Sequence, residues 1–177
     1  MQRPLIHIQN LNLKYQSNLV FDDLIWTIQK GEQWVLSGIS GSGKTTLAKA
    51  ITGLTDYVGE IEVYFDKASQ LPAKVLLVES WYQFKNIEGI ANFYYQQRYT
   101  SQQAKDTLTV NAELGHYGKE NNLAFADVEP ILKTIGFTGL KNSQLIELSS
   151  GEHKKLQLVK ALWLKPQLLI IDQPYVG

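Results

Sequence analysis

The chain has 177 residues, 44% of them hydrophobic and 19% charged, which suits one domain able to bury a core. Its 17 basic residues balance its 17 acidic ones, so composition argues against nucleic acid as a partner drawn by overall charge. The absence of cysteine excludes disulfides, thiolate metal sites and cysteine nucleophiles, and no apolar run reaches the ~18 residues that span a bilayer.

The first residues, MQRPLIHIQNLNLKY, lack the apolar core of a signal peptide and already alternate as a strand. The expectation is a cytoplasmic domain with no transmembrane segment of its own, able to sit peripherally at the inner face of a membrane by docking on a membrane protein. Residues 5–15 and 24–28 alternate apolar and polar, as half-buried antiparallel strands do. Trp34, Val35 and Leu36 form a short apolar run predicted to be a strand leading into GISGSGKT. Leu47, Ala50 and Ile51 then share one face of a predicted helix, with Gly53 as its stop. Residues 57–64 alternate again, and VLLV at 75–78 reads as a compact apolar strand. From 81 to 122 the chain turns rich in Gln, Asn, Tyr and Thr, which predicts a less regular, mostly helical insert. Within it Phe93, Tyr94, Tyr95 and Tyr99 interleave with Arg98 and glutamines. A stacking surface for bases is one reading of that pattern, and packing of the insert against the core is the other. Val128, Ile131, Leu132 and Ile135 follow helical spacing up to Gly136, and residues 149–164 form a further predicted helix. LLII at 168–171 is wholly apolar, as strands inside a parallel sheet are. Strands alternating with helices predict an α/β domain, residues 1–177, with a helical insert at 81–150. The three histidines, His7, His116 and His153, are too scattered to suggest a metal site.

GISGSGKT at 38–45 fits G-x-x-x-x-G-K-[ST] without mismatch. Glycines let backbone N–H groups turn inward around phosphates with no Cβ in the way. Lys44 supplies a cation to the β- and γ-phosphates, and the Thr45 hydroxyl is placed for Mg²⁺. The helix that follows points its positive end at the anion. The candidate nucleotide contacts are therefore Gly38, Ser40, Gly41, Ser42, Gly43, Lys44, Thr45 and Thr46. This loop serves kinases, GTPases and transport ATPases alike, so it establishes phosphate binding and not a reaction class.

A second candidate anion site is LSSGE at 148–152, where Ser149, Ser150 and Gly151 open a helix. The same residues also make a plain N-cap, with Glu152 in the first turn. LLIIDQP at 168–174 delivers Asp172 to the end of a strand and follows it with the amide Gln173.

Taken together, GISGSGKT, LSSGE and LLIIDQP resemble the nucleotide-binding domain of ATP-binding cassette (ABC) proteins over nearly the whole chain. The resemblance implies a P-loop NTPase fold with a mixed sheet, ABC-type antiparallel N-terminal strands and a helical insert. It implies ATP and Mg²⁺ as ligands, Asp172 as a magnesium residue, and Tyr15 under the adenine ring, where stacking is worth ~1–3 kcal/mol. Ser149, Ser150 and Gly151 would cap the γ-phosphate of an ATP held by a second cassette, in the same or a tandem chain. A membrane-spanning permease is a further implied partner, and LSSGE departs from the family's LSGGQ at Ser150 and Glu152. The family's magnesium-sensing glutamine has two candidate counterparts, Ser80 by position after VLLV and Gln83 three residues on. The insert is similar to a cytosolic branch related to molybdate-type ATP-binding proteins, which often carry two cassettes in one chain.

In that family a glutamate usually follows the strand aspartate and polarises the attacking water. Gln173 can orient a water but cannot take its proton at neutral pH. Gln173 and Lys44 are therefore the candidate catalytic residues, and hydrolysis by this chain stands open against a non-hydrolysing, regulatory role. A third reading is a non-transport ATPase acting on nucleic acid. Gln173 itself is either a natural variant or an engineered trap. The resemblance also implies later strands and a histidine beyond Gly177, so the expectation is a C-terminally truncated cassette whose last strand, 168–171, has an exposed apolar edge. Such a chain is expected to be poorly soluble or to depend on a partner.

Overall fold

A computed structural model describes residues 3–15, 18–65, 74–79 and 108–174. The chain divides into two compact units, Met1–Leu77 with Gln167–Asp172, and Val78–Pro166 with Gln173–Gly177.

In the first unit, strand β1 (Ile6–Tyr15) pairs antiparallel with β2 (Asn18–Ile28) on one side and β3 (Val58–Val63) on the other. Ile6, Ile8, Leu11 and Leu13 are all buried, so the inward parity slips by one residue between Ile8 and Leu11. A β-bulge absorbs the extra residue, and both ladders shift register there. Asn10 sits at the bulge with φ 48° and donates to Asp23 Oδ1 at 2.6 Å. Opposite it, Gly59 has φ 114°, and a Cβ there would lie 2.3 Å from the Asn10 carbonyl oxygen. Helix α1 (Lys44–Ile51) turns Leu47 and Ala50 into the same core as Ile28 and the inward face of β1. The chain leaves α1 through Gly53, left-handed at φ 73°.

Strands β4 (Val75–Val78) and β5 (Leu168–Ile171) make a separate two-stranded sheet. Among the described residues β5 has no other strand neighbour, and Ile171 at its end is exposed. The strand expected at 34–36 is not formed. Val35 is 91% exposed, and Trp34 and Leu36 are exposed with it. A run of three apolar residues cannot hold a strand by itself, and among the described residues none pairs with this one.

The second unit is built from helices α2 (Val110–Glu120), α3 (Val128–Ile135) and α4 (Ser150–Trp163). Thr109 caps α2 by accepting from the Ala112 N–H, and Gly136 ends α3 in the left-handed region. Leu114, Leu132, Phe137, Leu156, Val159 and Trp163 form its core, with α3 packed on α4. Lys160 of α4 pairs with Glu113 of α2 at the rim. The predicted insert at 81–122 falls mostly outside the described residues, and α2 is the part that is seen. No helix among the described residues is long and apolar enough to cross a membrane.

Two glycines of α2 differ in what faces them. A Cβ at Gly118 would lie 2.7 Å from Trp163 Cη2, whereas a Cβ at Gly115 would meet nothing within 4 Å. Gly118→Ala is therefore expected to destabilise the chain by about 1–3 kcal/mol through overpacking. Gly115→Ala should instead gain about 0.5–1 kcal/mol, because alanine loses less backbone freedom in a helix. Urea unfolding of both variants measures the contrast, and equal midpoints would contradict it.

Candidate functional site

The loop at 38–45 is held from within. The Lys44 ammonium donates to the Gly38 carbonyl at 2.9 Å, the Ile39 carbonyl at 2.8 Å and Ser42 Oγ at 3.2 Å. Those contacts fold the loop over the lysine head, with Ser42 N–H donating to Ile39 O at 3.3 Å. Ile39 at the crest is 82% exposed.

Gly43 closes the loop as the N-cap of α1, left-handed at φ 87° with no side-chain cap. A Cβ there would lie 2.0 Å from Val20 Cγ1 and 3.0 Å from Phe21 Cε2. Two independent constraints, dihedral angle and space, thus require glycine at this position. Its carbonyl accepts the first turn's bond from Leu47 N–H at 2.8 Å. The N–H groups of the opening turn, from Lys44 to Thr46, have no acceptor four residues back within the helix and mark its positive end.

Thr45 Oγ1 donates to Asp172 Oδ2 at 2.9 Å. Asp172 is only 8% exposed, at the end of β5, while Thr45 opens α1 beside the loop. A hydroxyl and a carboxylate side by side form a hard-oxygen pair, the donor chemistry that Mg²⁺ takes alongside phosphates and water. Among the described residues no group of three or more His, Asp or Glu could hold a metal alone.

At the other candidate anion site, Ser149 is the N-cap of α4 and forms a capping box. Its Oγ accepts from Glu152 N–H at 3.3 Å, while its own N–H and O–H donate to Glu152 Oε2 at 2.7 and 2.8 Å. These bonds hold the Glu152 carboxyl below its usual range, the backbone N–H of Ser149 foremost. Ser150 and Gly151 follow as the first two helical residues, and their N–H groups have no acceptor within the helix. The plain N-cap reading is thus realised in the structure, and it leaves two amide donors pointing off the helix end.

Gln173 adopts φ 49°, a left-handed conformation that costs energy for a residue with a Cβ. It is exposed, next in the chain to buried Asp172. Only the backbone of Tyr15 is described, closing β1 opposite Asn18. Ser80, Gln83, and the aromatic run with Phe93, Tyr94, Tyr95, Arg98 and Tyr99 lie outside the described residues. Of the histidines, His7 shares a 2.9 Å hydrogen bond with the Thr27 hydroxyl, and His153 is buried in α4. Two features were not read from the sequence. Val20 and Phe21, which back Gly43, belong to a part of β2 whose alternation breaks at Asp22 and Asp23. Lys154 of α4, buried in the structure, carries no signal of burial in its own residue type.

A family model described as ABC transporter matches residues 21–176, and the chain belongs to that family. The chain is 29% identical to the Nod factor export ATP-binding protein I of Rhizobium johnstonii, covering 97% of this chain and 52% of that one. It is 28% identical to the taurine import ATP-binding protein TauB of Escherichia coli O157:H7, covering 97% and 61%. It spans about a third to two thirds of the length of such curated relatives, 32% of one and 65% of another. Among solved structures, a nucleotide-free ATP-binding cassette from an ABC transporter superposes with a TM-score of 0.67 at 19% identity, over 99% of this chain and 71% of that one. The cbiO1 protein of Clostridium perfringens, part of the transporter complex cbiONQ, gives 0.66 at 18%, over 99% and 68%. At these identities the superpositions show the fold: an ABC-type P-loop NTPase.

The depressed Glu152 carboxyl gives a pH prediction. Its stabilisation is fully present above the unfolded value near 4.5 and is lost as pH falls through the lower folded value. Glu152→Gln removes that component, so the acid limb of a stability-against-pH curve should flatten below pH about 4.5. Chemical denaturation at a series of pH values measures it, and superimposable acid limbs would contradict the assignment.

Proposed function

We propose that this member of the ABC transporter family binds MgATP at the 38–45 loop and associates with a second cassette around the nucleotide. The Thr45–Asp172 hydrogen bond carries the reading, because it sets a magnesium-suited oxygen pair beside a phosphate-binding loop. Lys44 and the loop amides hold the phosphates, and Thr45 and Asp172 would hold a magnesium ion that offsets the phosphates' negative charge. On the family resemblance, Tyr15 would serve the adenine and Ser80 or Gln83 the cation. In the Ser149–Gly151 turn, the Ser150 hydroxyl and the free N–H groups of Ser150 and Gly151 meet the γ-phosphate of the partner's ATP, and Ser149, whose own donors go to Glu152, shapes the turn. Formation and loss of the pair then drive a conformational cycle. Relatives named for taurine import and Nod factor export support a membrane permease as the partner that uses this cycle.

Gln173 favours a second reading of the same site, in which the chain holds ATP and turns it over slowly. The amide orients a water without accepting its proton, and loss of a general base costs roughly 10²–10⁴-fold. Transfer of the phosphoryl group depends mainly on position and charge, so a residual rate survives.

One labelled-MgATP experiment separates the two, with retained nucleotide and released phosphate followed together. The expected result is retention with little release, both abolished in Lys44→Ala. Gln173→Glu should raise release by about 10²-fold or more while leaving retention intact. Rapid release by the unaltered chain that vanishes in Lys44→Ala would show that the amide is tolerated. Size-exclusion in MgATP and in ADP tests association separately: an earlier-eluting species in MgATP alone is expected, and identical profiles would count against the composite site.

A further inference from the structure

Lys154 is a lysine that the reading above does not use, and it is only 5% exposed. It stands in the first turns of α4, five positions beyond the cap residue Ser149. Its ammonium donates to the Glu79 carbonyl oxygen at 2.6 Å, with the Val78 carbonyl at 3.5 Å. Both carbonyls lie at the carboxyl end of β4. A lysine on a helix surface ordinarily keeps its head in water and covers apolar surface with its stem. The next residue, Lys155, is exposed in that ordinary way. Lys154 instead takes its charge out of water, which is tolerated where fixed dipoles replace the lost hydration.

The placement matters because apolar packing secures the rest of the helix. Leu156, Val159 and Trp163 anchor α4 from its middle to its end. The capping box ties Ser149 only to Glu152, within the same turn. Lys154 joins the opening of α4 to the backbone at 78–79 by a hydrogen bond whose direction the carbonyls fix.

We propose that Lys154 is a positioning residue for the Ser149–Gly151 turn. It holds the start of α4 to the end of β4, and so sets the direction in which that turn presents the Ser150 hydroxyl and the free N–H groups of Ser150 and Gly151. The proposal rests on the reading above, in which the turn meets a phosphate carried by a second cassette. Nucleotide binding at Lys44 is a separate event, so loss of the Lys154 contact should weaken association and leave nucleotide affinity unchanged. A purely structural lysine would alter both together or neither.

The test compares the full chain with Lys154→Met, which has similar length and no donor. Hydrogen exchange without nucleotide reads the turn itself. The Glu152 and His153 amides, bonded to Ser149 Oγ and O, should exchange about tenfold faster in the variant. Titration with a fluorescent ATP analogue and Mg²⁺ should give the same affinity for both chains. Sedimentation velocity in MgATP should show association weakened by about tenfold, or 1.4 kcal/mol. Unchanged exchange at those two amides would overturn the proposal, as would equal losses of affinity and association. If the unaltered chain fails to associate, the reading of a composite site falls, and the exchange result still decides whether Lys154 holds the turn. Should Lys154→Met not fold, Lys154→Gln, which keeps a neutral donor, carries the same comparison with a smaller expected effect.

Discussion

A single hydrogen bond joins residues 127 positions apart, from the Thr45 hydroxyl to the Asp172 carboxylate. Each partner is placed by something else. Thr45 sits where it does because Gly43 starts α1 in a left-handed turn, and Asp172 because β5 carries it to the end of a short apolar sheet. Where the two meet, the first helix and the last strand become one oxygen pair beside a cationic loop. Asp172 is buried, and the Thr45 hydroxyl is a local donor to its carboxylate.

The antiparallel strands contribute more than a platform. Val20 and Phe21 press on Gly43 so closely that a methyl group there would overlap a valine side chain. The loop is therefore shaped from outside by β2 as well as from inside by the Lys44 ammonium. The β1 bulge belongs to the same economy of packing. One extra residue at Asn10 lets Leu11 and Leu13 return to the core, and Gly59 leaves room for the displaced carbonyl. Without that adjustment a strict two-residue period would turn the second half of β1 to solvent.

The second unit has its own logic. Its core of leucines, Phe137 and Trp163 fixes the body of α4, whereas the start of that helix is governed by polar contacts. In that division apolar packing supplies rigidity, and short-range polar bonds supply direction. The Gln173 backbone tells a related story. A side chain held in the left-handed region is a local cost that the surrounding structure must support, and such outliers gather at functional sites.

The sequence by itself determined the loop motif, the ends of the helices and the family. Gly43, Lys44 and Thr45 are legible because the loop motif is local: a few consecutive residues carry the dihedral freedom, the cation and the hydroxyl. Gly53 and Gly136 are legible for the same reason, as stops that need a left-handed residue. Asp172 was readable as the end of an apolar strand, and Ser149 as a cap. Periodicity misled at 34–36, because three apolar residues form a strand only if neighbours supply hydrogen bonds. It under-read β2, because the pattern breaks at Asp22 and Asp23. Only the tertiary structure decided which distant groups meet: Thr45 with Asp172, Val20 and Phe21 with Gly43, Lys154 with the carbonyls at 78–79. Those contacts depend on strand register, a bulge and helix packing, which set distances through space that no spacing along the chain encodes.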